Sequence, residues 1–165
     1  MTPCVTIVGK SNSGKTTLIE KLIREITKRE YRVATIKHNR HGFDIDHEGK
    51  DSWRHRQAGA RMTVVACPTK VAVIEDTERD YEIGELIKQY IHGVDIVLVE
   101  GFKKNLFPKI EVFRGELKRE LLCVHDPTLI ALASDTPLEV GVPCFNINDE
   151  KGLADLIEEK YLTEL

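Results

Sequence analysis

Residues 4–16 read CVTIVGKSNSGKT. Gly9 and Gly14 are followed by Lys15 and Thr16 at the spacing G-x-x-x-x-G-K-[ST], matched in full. Small residues so spaced let the backbone wrap an anion with its N–H groups turned inward. The motif alone is also compatible with a chance Gly/Ser-rich turn, so its flanks decide. Cys4–Val8 form an apolar run of the kind that makes a buried strand, and Leu18, Ile19, Leu22, Ile23 and Ile26 recur at helical spacing behind the loop. Strand, glycine loop and helix in that order bring a helix N-terminus, with its partial positive charge, against the anion. Gly9, Lys10, Ser11, Asn12, Ser13 and Gly14 are the expected phosphate cradle, with Thr17 in the helical turn behind it. Lys15 is placed to reach β- and γ-phosphates, and the Thr16 hydroxyl to ligate Mg2+.

Outward from this stretch, strand and helix patterns alternate. YRVATIKH reads as a second strand, DIVLVEG as a fully buried one, and KIEVF, LIALAS and PCFNI as further strands. SWRHRQAGA predicts a short helix with Asp51 or Ser52 as N-cap. Ile83, Leu86, Ile87, Tyr90 and Ile91 mark another helix, and Leu153, Leu156 and Ile157 a last one capped near Asn148 or Asp149. MTVVA and KVAVI around CPT predict an antiparallel hairpin. The expected fold is α/β, a P-loop NTPase-like three-layer domain with a mainly parallel sheet and an antiparallel hairpin portion. One domain over 1–165 is expected, because 165 residues suit one core and no linker or repeat interrupts them.

The totals narrow the function classes. Hydrophobic residues at 41% and charged residues at 31% describe a globular chain, and a net charge of −3 argues against a broad nucleic-acid surface. Cys4, Cys67, Cys123 and Cys144 are scattered without a CxxC pair, so reduced, mostly buried thiols are expected rather than zinc or disulfides. No apolar run approaches the roughly 18 residues of a membrane helix. With no room for a leader before the first strand, a cytoplasmic location is expected.

A P-loop needs an acid for its metal or its water. DIVLVE ends in Glu100, and a carboxylate at the C-terminal end of a parallel strand faces the ligand crevice. Thr16 and Glu100 are thus the metal candidates, and Lys15 and Glu100 the catalytic ones; a strand-end acid facing solvent is the alternative for Glu100. Asp95 opens the same strand at the far end and is left out. Asp135 follows ALAS and is placed to accept from N1–H and the exocyclic amine of guanine, which favours GTP over ATP; an ordinary turn aspartate is the alternative. Lys10 resembles the extra lysine of P-loop proteins that act as nucleotide-bridged dimers, although Ser11 and Asn12 replace two glycines of that pattern. There it would serve the γ-phosphate of a second subunit; a solvated loop lysine is the alternative.

The stretch 35–60 holds four of the six histidines. Lys37, Arg40, Lys50, Arg54 and Arg56 alternate in it with acids, a mixture that suits an anionic ligand or a partner better than zinc, or else a solvated loop. TIKH, a further H, then D, GKDS and AGA, together with LVEGFK and ASD, resemble the molybdopterin-guanine dinucleotide biosynthesis protein B (MobB) family. The resemblance runs from the P-loop to NINDEKGLADLI. It implies a homodimeric GTP-binding accessory protein of molybdenum-cofactor maturation. Such a protein hydrolyses GTP slowly and works beside the guanylyltransferase that attaches GMP to molybdopterin. On that resemblance GTP and Mg2+ occupy the P-loop, Thr16 and Glu100. Lys37, His38, His41, Asp51, Ser52 and Lys103 would line an adjoining crevice for molybdopterin or the partner. Two rivals stay open: a small-molecule kinase using 37–56 as a lid, and an interaction module that holds nucleotide only as a structural ligand.

Overall fold

The computed structural model describes residues 2–39, 41–117 and 120–163; Arg40, counted above among the loop cations, lies outside them. Contacts divide the chain into two compact units, one of residues 1–38 with 83–165 and one of residues 39–82.

In the first unit, β1 (Cys4–Val8), β2 (Val33–Lys37), β5 (Ile96–Glu100), β6 (Lys109–Phe113), β7 (Leu129–Ser134) and β8 (Cys144–Asn146) form one sheet in the order β2-β5-β1-β6-β7-β8. Every pairing in it is parallel. All six strands therefore end at one edge, and the residues just past them share that edge. β1 and β5 are apolar without alternation because both faces are covered. Val5, Ile7, Ile96 and Leu98 meet α1 (Lys15–Lys28) and α4 (Glu150–Tyr161) through Leu18, Leu22, Ile26, Leu153 and Ile157. Cys4, Val97 and Val99 meet α3 (Ile83–Tyr90) through Ile83 and Ile87. The Asp149 side chain accepts from the Gly152 amide and caps α4 as expected.

β6 departs from the apolar pattern. Lys109 and Glu111 are fully buried on the face away from α1. That face is covered by a loop, whose backbone polar groups need partners. Glu111 accepts from the amides of Leu122 and Cys123 at 2.7 and 2.9 Å, and the Lys109 ammonium donates to the Asn105 carbonyl at 2.6 Å and pairs with Asp126 at 3.2 Å.

Arg29, at the C-terminus of α1, joins the two helices of one face. Its guanidinium meets Glu25 at 3.0 Å, Asp155 at 2.7 Å and Glu158 at 2.6 Å, and Tyr31 donates to Glu158 at 3.0 Å. Arg29→Ala strands these acids and is expected to cost about 2–3 kcal/mol, lowering Tm by roughly 5–10 °C in a thermal melt.

The second unit holds α2 (Asp51–Gln57) and the hairpin β3 (Met62–Cys67) and β4 (Lys70–Glu75). The hairpin forms where expected, but as a separate two-stranded antiparallel sheet rather than an extension of the parallel one. The N-cap of α2 is Lys50, not Asp51 or Ser52. Asp51 is the first helical residue, where its charge suits the helix dipole, and the Ser52 hydroxyl is spent on Asp46 at 2.9 Å. Of the cysteines, all free, Cys4 and Cys123 are buried, Cys144 is half-buried and Cys67 is exposed on the hairpin. Among the described residues, no helix is long and apolar enough to cross a membrane.

Candidate functional site: a phosphate loop at the sheet edge

β1 delivers the chain to the loop in its middle position. Gly9 turns it at φ 148°, and a Cβ there would lie 2.6 Å from the Val112 carbonyl and 2.7 Å from Ser13 Oγ, so only glycine fits. Gly14 is the left-handed N-cap of α1 at φ 97°, without a side-chain cap bond, and the first turn carries no acid. The amino end of the helix is thus left open to an anion. Lys15 Nζ folds over the loop to donate to the Lys10 carbonyl at 2.8 Å, and the Ser13 amide donates to the same oxygen at 3.3 Å. Ser13 is 2% exposed, yet its hydroxyl has no hydrogen-bond partner among the described residues. An unsatisfied buried hydroxyl is costly and marks a place where a ligand or water completes the set.

On the other flank of β1, β5 pairs Ile7 with Glu100, and β2 pairs Lys37 with Glu100. This register brings three side chains together. Thr16 Oγ1 lies 3.1 Å from each Glu100 oxygen, and Lys37 Nζ lies 2.7 Å from Oε1. Burial lowers the Lys15 pKa below the usual lysine value; the Glu100 charge opposes that shift, and the Lys103 and Lys37 charges add to it. The ammonium groups of Lys15, Lys37 and Lys103 thus act on one neighbourhood together with the Glu100 carboxylate, more positive than negative charge among the described residues there, which suits phosphates. His38 follows β2, donates its amide to the Glu100 carbonyl at 3.0 Å and stacks on Phe102 with centroids 4.1 Å apart. His41, Asp51 and Ser52 belong to the second unit.

Asp135 lies directly past β7. Its Oδ1 accepts from the Gly115 amide at 2.9 Å and from the Thr136 hydroxyl at 3.2 Å. The Gly115 amide is the main reason its carboxyl is held below the usual range. Beside it Ser134, Thr136, Pro137, Phe145 and Asn146 line a cavity of about 100 Å³. Asp95, just before β5, pairs with Arg32 at 2.8 Å.

The sequence reading missed Arg114. It lies directly past β6, its Nε donates to the Ser13 carbonyl at 3.1 Å, and its Nη2 would sit 3.3 Å from a Cβ on Gly14. The rule that singled out Glu100 and Asp135, a polar residue at the C-terminal end of a parallel strand, applies equally to KIEVFR.

The family model for MobB, Molybdopterin guanine dinucleotide synthesis protein B, matches residues 4–135, from the first strand through Asp135. The chain belongs to this family. Two MobB relatives, from Haemophilus influenzae and Escherichia coli, are each named a molybdopterin-guanine dinucleotide biosynthesis adapter protein. Each is 40% identical to the chain, over 94% and 96% of it and 88% and 93% of their own lengths. The crystal structure of Bacillus subtilis MobB superimposes with a TM-score of 0.75 at 28% identity, covering 98% of this chain and 99% of that one. The P-loop NTPase-like architecture expected from the sequence is thus the MobB fold.

Proposed function

We propose that the chain is an adapter of molybdopterin-guanine dinucleotide formation that binds GTP with Mg2+ through its P-loop and turns it over slowly. The observation that carries this reading is the cradle itself: an open helix N-terminus, a buried Ser13 hydroxyl with no partner among the described residues, and Lys15 folded across the loop. The Thr16 hydroxyl and the Glu100 carboxylate fit Mg2+, a cation that takes one or two protein oxygens and completes its shell with water and phosphate. The cation would neutralise charge on the β- and γ-phosphates. Lys15 and the loop amides would bind them, and Asp135 would accept from guanine.

The partner in this reading is the guanylyltransferase that attaches GMP to molybdopterin. Lys37, His38 and Lys103, all on the first unit, are offered to molybdopterin or to that enzyme in the cytoplasm. The kinase alternative gains nothing from the comparisons, whose relatives are named adapters. Titration of GTP against ATP, each with and without Mg2+, tests the reading: tighter binding of GTP with Mg2+ is expected. A preference for ATP, or hydrolysis by the purified chain on the order of 10 per second, would overturn it.

The homodimer finds its support in the hairpin. Val64, Val73 and Val71 are 57%, 47% and 64% exposed on one face of β3 and β4, with Val64 directly opposite Val73. A two-stranded ribbon is marginal by itself, and exposed apolar strands seek a partner. The double variant Val64→Asp, Val73→Asp is expected to elute as a monomer in light-scattering chromatography where the unaltered chain is a dimer, with GTP binding retained.

A further inference from the structure

β6 is the strand between the one that carries the phosphate loop and the one that leads to Asp135. Two consecutive residues at its end reach both ways. Arg114 Nε donates to the Ser13 carbonyl at 3.1 Å, with the guanidinium laid against Gly14, the residue that starts α1. Gly115 donates its amide to Asp135 Oδ1 at 2.9 Å. The approach on that side is close: a Cβ on Gly115 would lie 2.7 Å from the Thr136 hydroxyl. At Gly115 the backbone enters a short 3-10 turn, Gly115–Leu117, so the two contacts are made where the strand has ended and its own pairing has stopped.

We propose that Arg114 is a positioning residue that ties the phosphate cradle to the base acceptor, so that an ordered loop and an oriented Asp135 come as one state. The guanidinium fixes the carbonyl of Ser13 and with it the crest of the loop. The peptide that follows fixes the carboxylate. Neither contact involves a purine, yet releasing the first also frees the second, because one peptide unit separates them. The inference rests on the nucleotide reading above and adds to it a residue through which base discrimination is set at a distance.

The test compares GTP, ITP, which lacks the exocyclic amine, and inorganic tripolyphosphate, which lacks a base, on the full chain. Binding is read by calorimetry for the unaltered protein, Arg114→Ala and Arg114→Lys, with circular dichroism to verify folding. The unaltered protein is expected to prefer GTP to ITP. Arg114→Ala is expected to bind tripolyphosphate about tenfold more weakly, as suits one lost charge-assisted hydrogen bond, and to bring the GTP-to-ITP ratio towards one. Arg114→Lys, which keeps the charge and much of the packing but not the Nε fork, is expected to lose the ratio as well. If Arg114→Ala does not fold, the lysine variant decides. A weaker tripolyphosphate affinity with the ratio preserved would show a local role in the loop and overturn the coupling, as would unchanged binding of all three ligands. A ratio of one in the unaltered protein would remove Asp135 from the base site and overturn the inference while leaving triphosphate binding intact. Absence of GTP and tripolyphosphate binding by the unaltered protein would instead overturn the nucleotide reading, and the inference with it.

Discussion

Lys15→Ala is expected to weaken GTP binding by about thirty-fold or more while the chain stays folded. The ammonium donates to the Lys10 carbonyl at 2.8 Å, and its environment already lowers its pKa, chiefly by burial. A cation held in that state gains most from an arriving polyphosphate. Removing one partner of a desolvated, hydrogen-bonded charge pair costs about 2–5 kcal/mol, roughly thirty-fold to several thousand-fold in Kd. The fold is expected to survive because Lys15 belongs to none of the apolar clusters. Calorimetric titration with Mg-GTP and a thermal melt read the two parts separately. A variant that binds GTP within a factor of about three of the unaltered chain, well under the loss such a truncation carries, would remove the P-loop from the account. A variant that keeps its partner while losing GTP would instead support the interaction-module reading.

Glu100→Gln is the second large effect. Glutamine keeps the volume and can still accept from Thr16, but the negative charge that faces Lys37 at 2.7 Å is gone. Loss of a carboxylate that orders a metal site costs about 10–100-fold in metal affinity. GTP binding without Mg2+ is expected to be unchanged or slightly tighter, since one negative charge beside the phosphates is gone. The gain that Mg2+ brings is expected to vanish. Titrations at a series of Mg2+ concentrations check this, and an undiminished Mg2+ dependence would place the cation elsewhere. Thr16→Val, which removes the hydroxyl but keeps the branch, should move the same quantity in the same direction.

Much of this site was legible in the sequence because it is made by local rules. A glycine spacing fixes the loop, periodicity fixes the helix behind it, and the end of an apolar strand fixes where Glu100 and Asp135 emerge. The parts that were not legible depend on neighbours far along the chain. Lys and Glu are seldom fully buried, yet Lys109 and Glu111 are, because the loop over them supplies carbonyls and amides instead of a helix. Arg114 answers a carbonyl 101 residues away, a pairing that no spacing rule contains. The N-cap of α2 passed to Lys50 because Ser52 found a carboxylate in the preceding loop. The apolar runs on either side of CPT predicted the strands β3 and β4 correctly, but such a run does not tell whether a face is covered within the chain or left bare. His38 and His41 are neighbours in sequence, yet the boundary between the two units falls between them.

No described residue of 39–82 contributes to the six-stranded sheet or to any of the three buried clusters of the main body. That excursion is a graft on a host that is complete without it. Changes of length or charge in the ribbon therefore leave the packing of that host as it is.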